Sequence, residues 1–215
     1  MSRVGSTTST KSSTTRMAER HPANEDLAIR FVNTAAWRLR SDVEERLPGP
    51  AALLNWFEAN DLVSRDETTG VRRAWEFDAQ AANSLYESAI ALREVIYNLL
   101  IARIGGQAPR AKDLETFNGF LTSDGVGATL AWHAGNYGWR ATDGQASMLF
   151  PITLSAAELL TGIRSGRVRQ CQDERGCGWL FVDESRAQNR RWCSMGDCGN
   201  RAKAHRHYQR ARKKS

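Results

Sequence analysis

The sequence predicts an α+β fold, with a mainly helical N-terminal domain, a small antiparallel sheet and a small cysteine-bearing C-terminal module. Three observations predict it. Apolar residues recur at helical spacing through most of the first 120 positions. Three short alternating segments follow between residues 128 and 150. All four cysteines then lie between residues 171 and 198.

Length and composition favour three segments. Residues 1–22 are predicted to be a disordered Ser/Thr-rich tail, 23–163 the N-terminal domain and 164–215 the C-terminal module. A run of eighteen apolar residues, which a membrane span needs, does not occur, and neither does a secretory signal. We therefore expect a cytoplasmic protein with no membrane partner. In a reducing compartment cysteines bind metals more often than they form disulfides.

The first half of the N-terminal domain is predicted to contain three helices. Asn24 is the expected cap of the first, whose apolar positions run to Ala36. Asp42 is expected to cap a short second helix that ends before Pro48, and 51–60 forms the third. Residues 66–70 are predicted to form a polar turn.

The second half is built on the longest predicted helix, 79–104, which ends at two glycines. A shorter helix is expected over 112–121. Alternation then predicts an antiparallel meander, which Pro151 ends, and a helix follows over 154–163. The three predicted strands are 128–132, 137–142 and 147–150.

The cysteines form two pairs, Cys171-x5-Cys177 and Cys193-x4-Cys198, separated by fifteen residues. Two short-spaced pairs at this separation suit a tetrahedral Zn²⁺ site, because each pair comes from one tight turn. Strands leading into and out of the first pair, then a helix from Gly199, predict a treble-clef-like zinc module. A reduced buried quartet and a redox pair are the alternatives. Mutation of Cys193 is expected to unfold this module and leave the helical domain folded.

Positive charge is concentrated in the same module. Residues 164–215 carry 14 Lys and Arg against 5 Asp and Glu, whereas the rest of the chain carries 16 against 19. This asymmetry favours binding to nucleic acid over a merely solvated surface. Arg201 has a structural alternative, a hydrogen bond across the zinc turn. The candidate nucleic-acid contacts are Arg190, Arg191, Arg201, Lys203, Arg206 and Arg210.

Two segments of the sequence resemble known families. Trp192-Cys-Ser-Met195 followed by Cys198-Gly-Asn-Arg201 resembles the CGNR zinc finger, with Cys171 and Cys177 in matching places. Phe31-Val-Asn-Thr34 and Leu92-Arg-Glu-Val95 are similar to the ABATE domain that commonly precedes this finger, although Arg30 replaces the acidic residue expected there. The resemblance implies a bacterial transcription regulator with a DNA-binding finger and a sensing domain.

The resulting functional hypothesis is a zinc-dependent, DNA-binding transcription regulator whose N-terminal domain senses an unknown small molecule or partner. An RNA- or ribosome-associated adaptor is the alternative. An enzyme is not expected, because Zn²⁺ held by four cysteines has no open position for water. The oligomeric state is left open, with a dimer as one alternative, although no heptad indicates one. The N-terminal candidates for ligand binding, each with a role in core packing or loop capping as the alternative, are Asn33, Trp37, Trp132, His133 and Trp139.

Overall fold

The structure of the protein is a computed structural model, and it describes residues 26–122, 128–133, 136–141 and 148–212. Within them the strands pair as three two-stranded antiparallel sheets, and helices dominate, which confirms the predicted α+β class. The predicted tail and the Asn24 cap lie outside these ranges. The helices are α1 Leu27–Val32, α2 Pro50–Ala59, α3 Arg65–Phe77, α4 Ala79–Ile104, α5 Ala111–Thr122, α6 Phe150–Thr161 and α7 Asn200–Arg212.

Helix α4 is the centre of the N-terminal domain. The Asp78 carboxylate caps its first turn by accepting from Ala81 N at 2.9 Å, and Gly105 terminates it, as predicted. The helix contacts α1, α2, α3, α5 and α6 as well as the first strand of the C-terminal module. Its buried apolar face is Ala82, Leu85, Ala89, Leu92, Val95, Ile96, Leu99 and Leu100.

The segment after α1 differs from the prediction. The helix ends at Val32, and strand β1 (Ala35–Ala36) pairs with β2 (Glu44–Glu45), where a helix capped by Asp42 was expected. Ala35 pairs with Glu45 and Ala36 with Glu44. Alanine prefers helices, so tertiary contacts override local propensity here. Both alanines are buried, and the Glu45 carboxylate binds an arginine of α4.

The predicted polar turn at 66–70 is wrong, because these residues lie inside α3. Ser64 Oγ accepts from Glu67 N at 3.2 Å, and Glu67 Oε2 accepts from Ser64 N at 2.7 Å. This reciprocal pair is a capping box, which satisfies two backbone donors and starts the helix. The Ser-x-x-Glu signal was present in the sequence.

The predicted meander is a hairpin followed by a helix. Strands β3 (Ala128–His133) and β4 (Asn136–Ala141) pair in the expected order, with Leu130 opposite Trp139. The third predicted strand is wrong in its described part, since residues 148–149 form a short helical turn and Phe150 begins α6. Pro151 starts this helix rather than ending a sheet, because the first turn tolerates a residue without an N–H.

The C-terminal module shares the core of the N-terminal domain. Strands β5 (Val168–Gln170) and β6 (Leu180–Val182) form its hairpin, with Val168 paired with Val182. Val168, Leu180 and Val182 are at most 3% exposed and belong to the same apolar cluster as the face of α4. The hairpin is therefore packed on the helical domain. Among the described residues, no helix is both long and apolar enough to span a bilayer.

Candidate metal centre

The four cysteines meet at one point in the C-terminal module. Their sulfur atoms all lie within 4.8 Å of one another. Cys193 Sγ lies 3.9 Å from Cys177 Sγ and 3.6 Å from Cys198 Sγ. Each cysteine is at most 6% exposed, and all are free thiols. Residues separated by up to 27 positions are thus brought together with their sulfurs facing inward.

Two tight turns present the cysteine pairs. Cys171 follows β5, and its N–H donates to Trp179 O at 2.8 Å, which closes the first turn. Cys177 lies between Gly176 and Gly178, whose φ values of +92° and +66° favour glycine. In the second pair, Cys193 comes just before a π-type turn, Met195–Gly199, which carries Cys198 and from which α7 continues.

Aromatic residues enclose the sulfurs. Phe181 is completely buried against them, and Trp179 and Trp192 cover them in part. Together with the cysteines, these three aromatic residues form the small core of the module. Trp37 joins the same cluster from the N-terminal domain, which the sequence did not indicate.

The thiols influence one another strongly. Hydrogen bonds from Cys177 and Cys193 lower the pKa of Cys171 to about 2. Hydrogen bonds to Cys171 and Cys177 raise the pKa of Cys193, and burial raises the pKa of Cys198. One buried thiolate thus opposes ionisation of the remaining thiols. A cation among the sulfurs is what allows all four to ionise.

The geometry fits a tetrahedral metal ion. A Zn–S bond of about 2.3 Å places tetrahedral sulfurs roughly 3.8 Å apart, close to the two separations above. Four cysteines within bonding reach of one point form a closed, sulfur-only metal site. An ion bound by all four sulfurs in tetrahedral geometry would have no coordination position left for water.

Arg201 binds the rim of the centre. Its Nη2 donates to Cys198 Sγ at 2.8 Å, and its Nε donates to Asp173 Oδ2 at 3.2 Å. A further bond reaches Asp197 on the same turn. The Arg201 side chain is 24% exposed to solvent. The structural alternative considered for Arg201, a hydrogen bond across the turn, is therefore present.

Two buried carboxylates order the loops of the module, and sequence reasoning missed both. Asp183 is fully buried, accepting from Ser185 N and Oγ at 3.0 and 2.6 Å and from Arg190 N at 2.8 Å. Burial opposes its charge, but these donors outweigh burial and lower the pKa of Asp183. Asp173 accepts from Arg175 N at 3.1 Å. An Asp two residues before a Ser was the available signal for the first.

The candidate nucleic-acid contacts fall into three groups. Arg190 and Arg201 use their guanidinium groups within the module, Arg190 Nη2 donating to Cys193 O at 3.0 Å. Arg191 and Lys203 are exposed, and Arg191 Nε donates to Gln172 Oε1 at 2.8 Å. The backbones of Arg206 and Arg210 lie on α7, and their side chains are outside the described part. Phosphate contacts for all six stay a prediction.

The five N-terminal candidates for ligand binding fall into two groups. Asn33 is 3% exposed, and its side-chain amide is hydrogen-bonded to the backbone of Leu180 in β6. Trp37 lines a cleft of about 60 Å³ that also reaches Cys177, Cys193 and Cys198. Both residues therefore face the C-terminal module. Trp132, His133 and Trp139 lie on the β3–β4 hairpin, whose side chains are not described. Ligand binding by these five residues stays a prediction.

An ion-pair network supports the segment that carries Trp37. Arg93 is 3% exposed and binds Glu45 through two bonds of 2.7 and 2.6 Å. Arg38 and Arg93 both bind Glu94. Burial opposes the charge of Glu94, but the two arginines outweigh it and lower the pKa of Glu94. Arg38 also stacks on Tyr97, whose hydroxyl accepts from Gln170 in β5 at 2.9 Å.

Comparison with known proteins assigns the two parts of the chain. Residues 25–163 match the family model ABATE, described as "Putative stress-induced transcription regulator", over well more than half of the chain. The chain belongs to the ABATE family. Residues 167–211 of this ABATE protein match the CGNR zinc finger model. No curated protein matches the chain.

The residues that suggested the ABATE resemblance meet at the junction with the finger. Asn33 contacts β6, and Thr34 Oγ1 accepts from Arg93 at 3.2 Å. Arg93 and Glu94 hold the segment that leads to Trp37. In this ABATE protein, both short motifs therefore serve the contact between the N-terminal domain and the four-cysteine module.

Proposed function

We propose that this protein is a zinc-dependent DNA-binding transcription regulator. The metal is Zn²⁺, held by Cys171, Cys177, Cys193 and Cys198. Four thiolates and no oxygen ligand favour zinc among the divalent ions available to a reduced protein, since soft sulfur ligands select zinc over magnesium or calcium. The family descriptions, a transcription regulator followed by a zinc finger, support the same reading.

The observation that best supports DNA binding is that some basic residues of the module bind within it while others are exposed. Arg190 and Arg201 bind within the module, whereas Arg191 and Lys203 are exposed at the same end of the chain. Exposed cations on a metal-ordered scaffold attract phosphates without a large loss of backbone entropy. Arg191 and His205 also line one cleft, beside Asp173 and Glu174, between α7 and the cysteine knuckle, which is the turn from Cys171 to Gly178.

The N-terminal domain is proposed to sense a small molecule or a partner. The support is its contact with the finger, through Asn33, Trp37 and the network around Glu94. A change in that contact alters the finger without any direct contact between the effector and DNA.

A titration of labelled duplex DNA by the zinc-loaded chain, followed by fluorescence anisotropy, tests the proposal. With about six to eight phosphate contacts, the slope of log affinity against log salt is roughly −5 to −7. Absence of binding, or binding without salt dependence, contradicts it. Competition by structured RNA in the same assay decides between a DNA regulator and an RNA-associated adaptor, because only the adaptor prefers the RNA.

A further inference from the structure

The N-terminal domain places one strained residue against the metal centre. Trp37 has φ of 57°, in the left-handed region that bulky side chains rarely adopt. Such a conformation persists only where surrounding contacts impose it. The contacts here come from the cysteine knuckle. Arg38 N donates to Cys177 O at 3.2 Å, and Leu39 N donates to Gly176 O at 3.2 Å.

The knuckle is shaped for this approach. A Cβ atom at Gly178 would lie 2.8 Å from Leu39 Cγ and 3.2 Å from Arg38 Cβ. A Cβ atom at Gly176 would lie 2.7 Å from Arg40 Cγ. Both glycines also have positive φ, so the metal-binding turn and the close contact with the N-terminal domain require the same two residues.

Trp37 in turn contacts the arginine that binds a metal ligand. The Arg201 guanidinium lies 5.2 Å from the Trp37 ring centroid, and its Nη2 donates to Cys198 Sγ at 2.8 Å. Arg40 stacks on the same indole at 3.6 Å. The chain of contacts therefore runs from the N-terminal domain through Trp37 and Arg201 to the sulfur of Cys198.

The position of Arg201 matters for metal retention. Four thiolates around a divalent cation carry a net charge of −2, so a donated hydrogen bond from a cation stabilises the loaded site. Groups that orient metal ligands in this way typically change metal affinity about 10- to 100-fold. Trp37 also forms a wall of the cleft that reaches Cys177, Cys193 and Cys198. Removal of the indole takes away one contact of Arg201, leaves its bonds to Asp173, Asp197 and Cys198 to hold it, and widens access to the sulfurs.

We propose that Trp37 is a positioning residue for the metal centre, and that the N-terminal domain controls metal retention by the finger through the Trp37–Arg201 contact. The inference rests on the proposed metal site and not on DNA binding. It assigns the left-handed Trp37 segment a regulatory role: an effector that shifts this segment changes the rate at which the finger releases zinc.

Zinc release from the full chain tests the inference. Zinc-loaded wild type, Trp37→Ala, Trp37→Phe and Trp75→Ala are mixed with excess chromophoric chelator, and the release rate is followed. Trp75 is the matched control, because it is a partly buried tryptophan of α3 packed on the N-terminal core. The melting temperature of each variant is measured alongside.

Trp37→Ala is expected to release zinc about 10-fold faster or more, and Trp37→Phe to stay near the wild-type rate. Trp75→Ala is expected to release zinc at the wild-type rate, even if its melting temperature falls as far as that of Trp37→Ala. Equal rates for Trp37→Ala and Trp75→Ala overturn the inference. A wild-type chain that carries no zinc refutes the metal assignment instead, so the two failures are distinguishable. In the cobalt-loaded chain, the thiolate-to-cobalt absorption is expected to change with Trp37→Ala and not with Trp75→Ala.

Discussion

The side-chain amide of Asn33 pairs with the backbone of Leu180, 147 residues further along the chain. Asn33 Nδ2 donates to Leu180 O at 2.9 Å, and Leu180 N donates to Asn33 Oδ1 at 3.0 Å. Both residues are buried. The bond joins the end of α1 to β6, and therefore joins the N-terminal domain to the strand that leaves the cysteine knuckle.

Asn33→Ala is expected to lower the free energy of unfolding by about 2 to 4 kcal/mol. The substitution leaves a buried N–H and a buried carbonyl of Leu180 without partners, at about 1 to 3 kcal/mol each. Urea unfolding of the zinc-loaded chain measures the loss. Asn60→Ala is the control, because Asn60 is half-buried and its side-chain amide donates to Trp56 O within its own segment. Equal losses for the two variants contradict a role for Asn33 at the junction.

Loss of a metal ligand is expected to destabilise the whole chain. The sequence led us to expect that the helical domain survives Cys193→Ser. The structure changes that expectation, because Val168, Leu180 and Val182 pack into the core around α4. Loss of metal-coupled folding energy on the order of 3 kcal/mol lowers the melting temperature by roughly 6 to 12 °C.

Circular dichroism at 222 nm tests this, since the signal comes mainly from the N-terminal helices. Cys193→Ser is compared with Lys203→Ala, a substitution of an exposed residue in the same module that keeps all four sulfurs. A helical transition at the wild-type temperature in Cys193→Ser shows that the two parts fold independently, and the account of a shared core is then wrong.

The stability contributed by Glu94 is expected to depend on pH. The pKa of Glu94 is lowered in the folded state because Arg38 and Arg93 outweigh the effect of burial. A group with a lowered pKa contributes stability above its unfolded pKa, near 4.3, and this contribution is lost as pH falls through its folded pKa. Since the side chain is 42% exposed, solvent reduces the effect to about 1 kcal/mol.

Glu94→Gln is therefore expected to melt about 2 to 4 °C below wild type at pH 7, a gap that closes below pH 4.3. Thermal melts at half-unit steps measure it, with Glu87→Gln on the exposed side of α4 as the control. Acid also affects the zinc site in both proteins, so the difference in melting temperature between Glu94→Gln and wild type isolates the effect of Glu94. A gap that does not change with pH eliminates the ion pairs as its cause.

Basic residues of the finger are expected to affect DNA binding in two different ways. Lys203→Ala and Arg191→Ala remove exposed charges, so each is expected to weaken binding and reduce the steepness of the salt slope by about 1. Arg190→Ala is expected also to lower stability, because Arg190 bonds to Cys193 O and stacks on Phe181. Arg73→Ala, an exposed arginine of α3, is the control. If it weakens binding as much as Lys203→Ala, the finger is not the binding surface.

Local signals in the sequence predicted much of the fold. The spacing of apolar residues and the two terminal glycines predicted α4, and the cysteine spacing predicted a four-sulfur cluster that the structure assembles. Two further signals are present in the sequence but favour the wrong structure. The segment after Ser64, which forms a capping box, resembles a polar loop, and Pro151, at the start of α6, resembles the end of a strand. In each case the same residue types also mark turns, so composition alone was ambiguous.

The junction could not be predicted in this way. Trp37 contacts Arg201, and Asn33 contacts Leu180, across more than 140 residues. Such pairs depend on how α1 packs on the rest of the chain, and single-sequence periodicity carries no information about them. The buried Asn33 was recognisable as a residue that needs partners, but its partner was not.

The most direct test of the central claim is DNA binding by the full chain in zinc-loaded, zinc-stripped and zinc-restored form, with bound metal quantified in each sample. We expect one zinc per chain in the loaded form, at least about a 10-fold loss of DNA affinity when zinc is stripped, and recovery of affinity when zinc is restored. A chain that binds DNA equally well without metal, or that takes up no zinc, contradicts it.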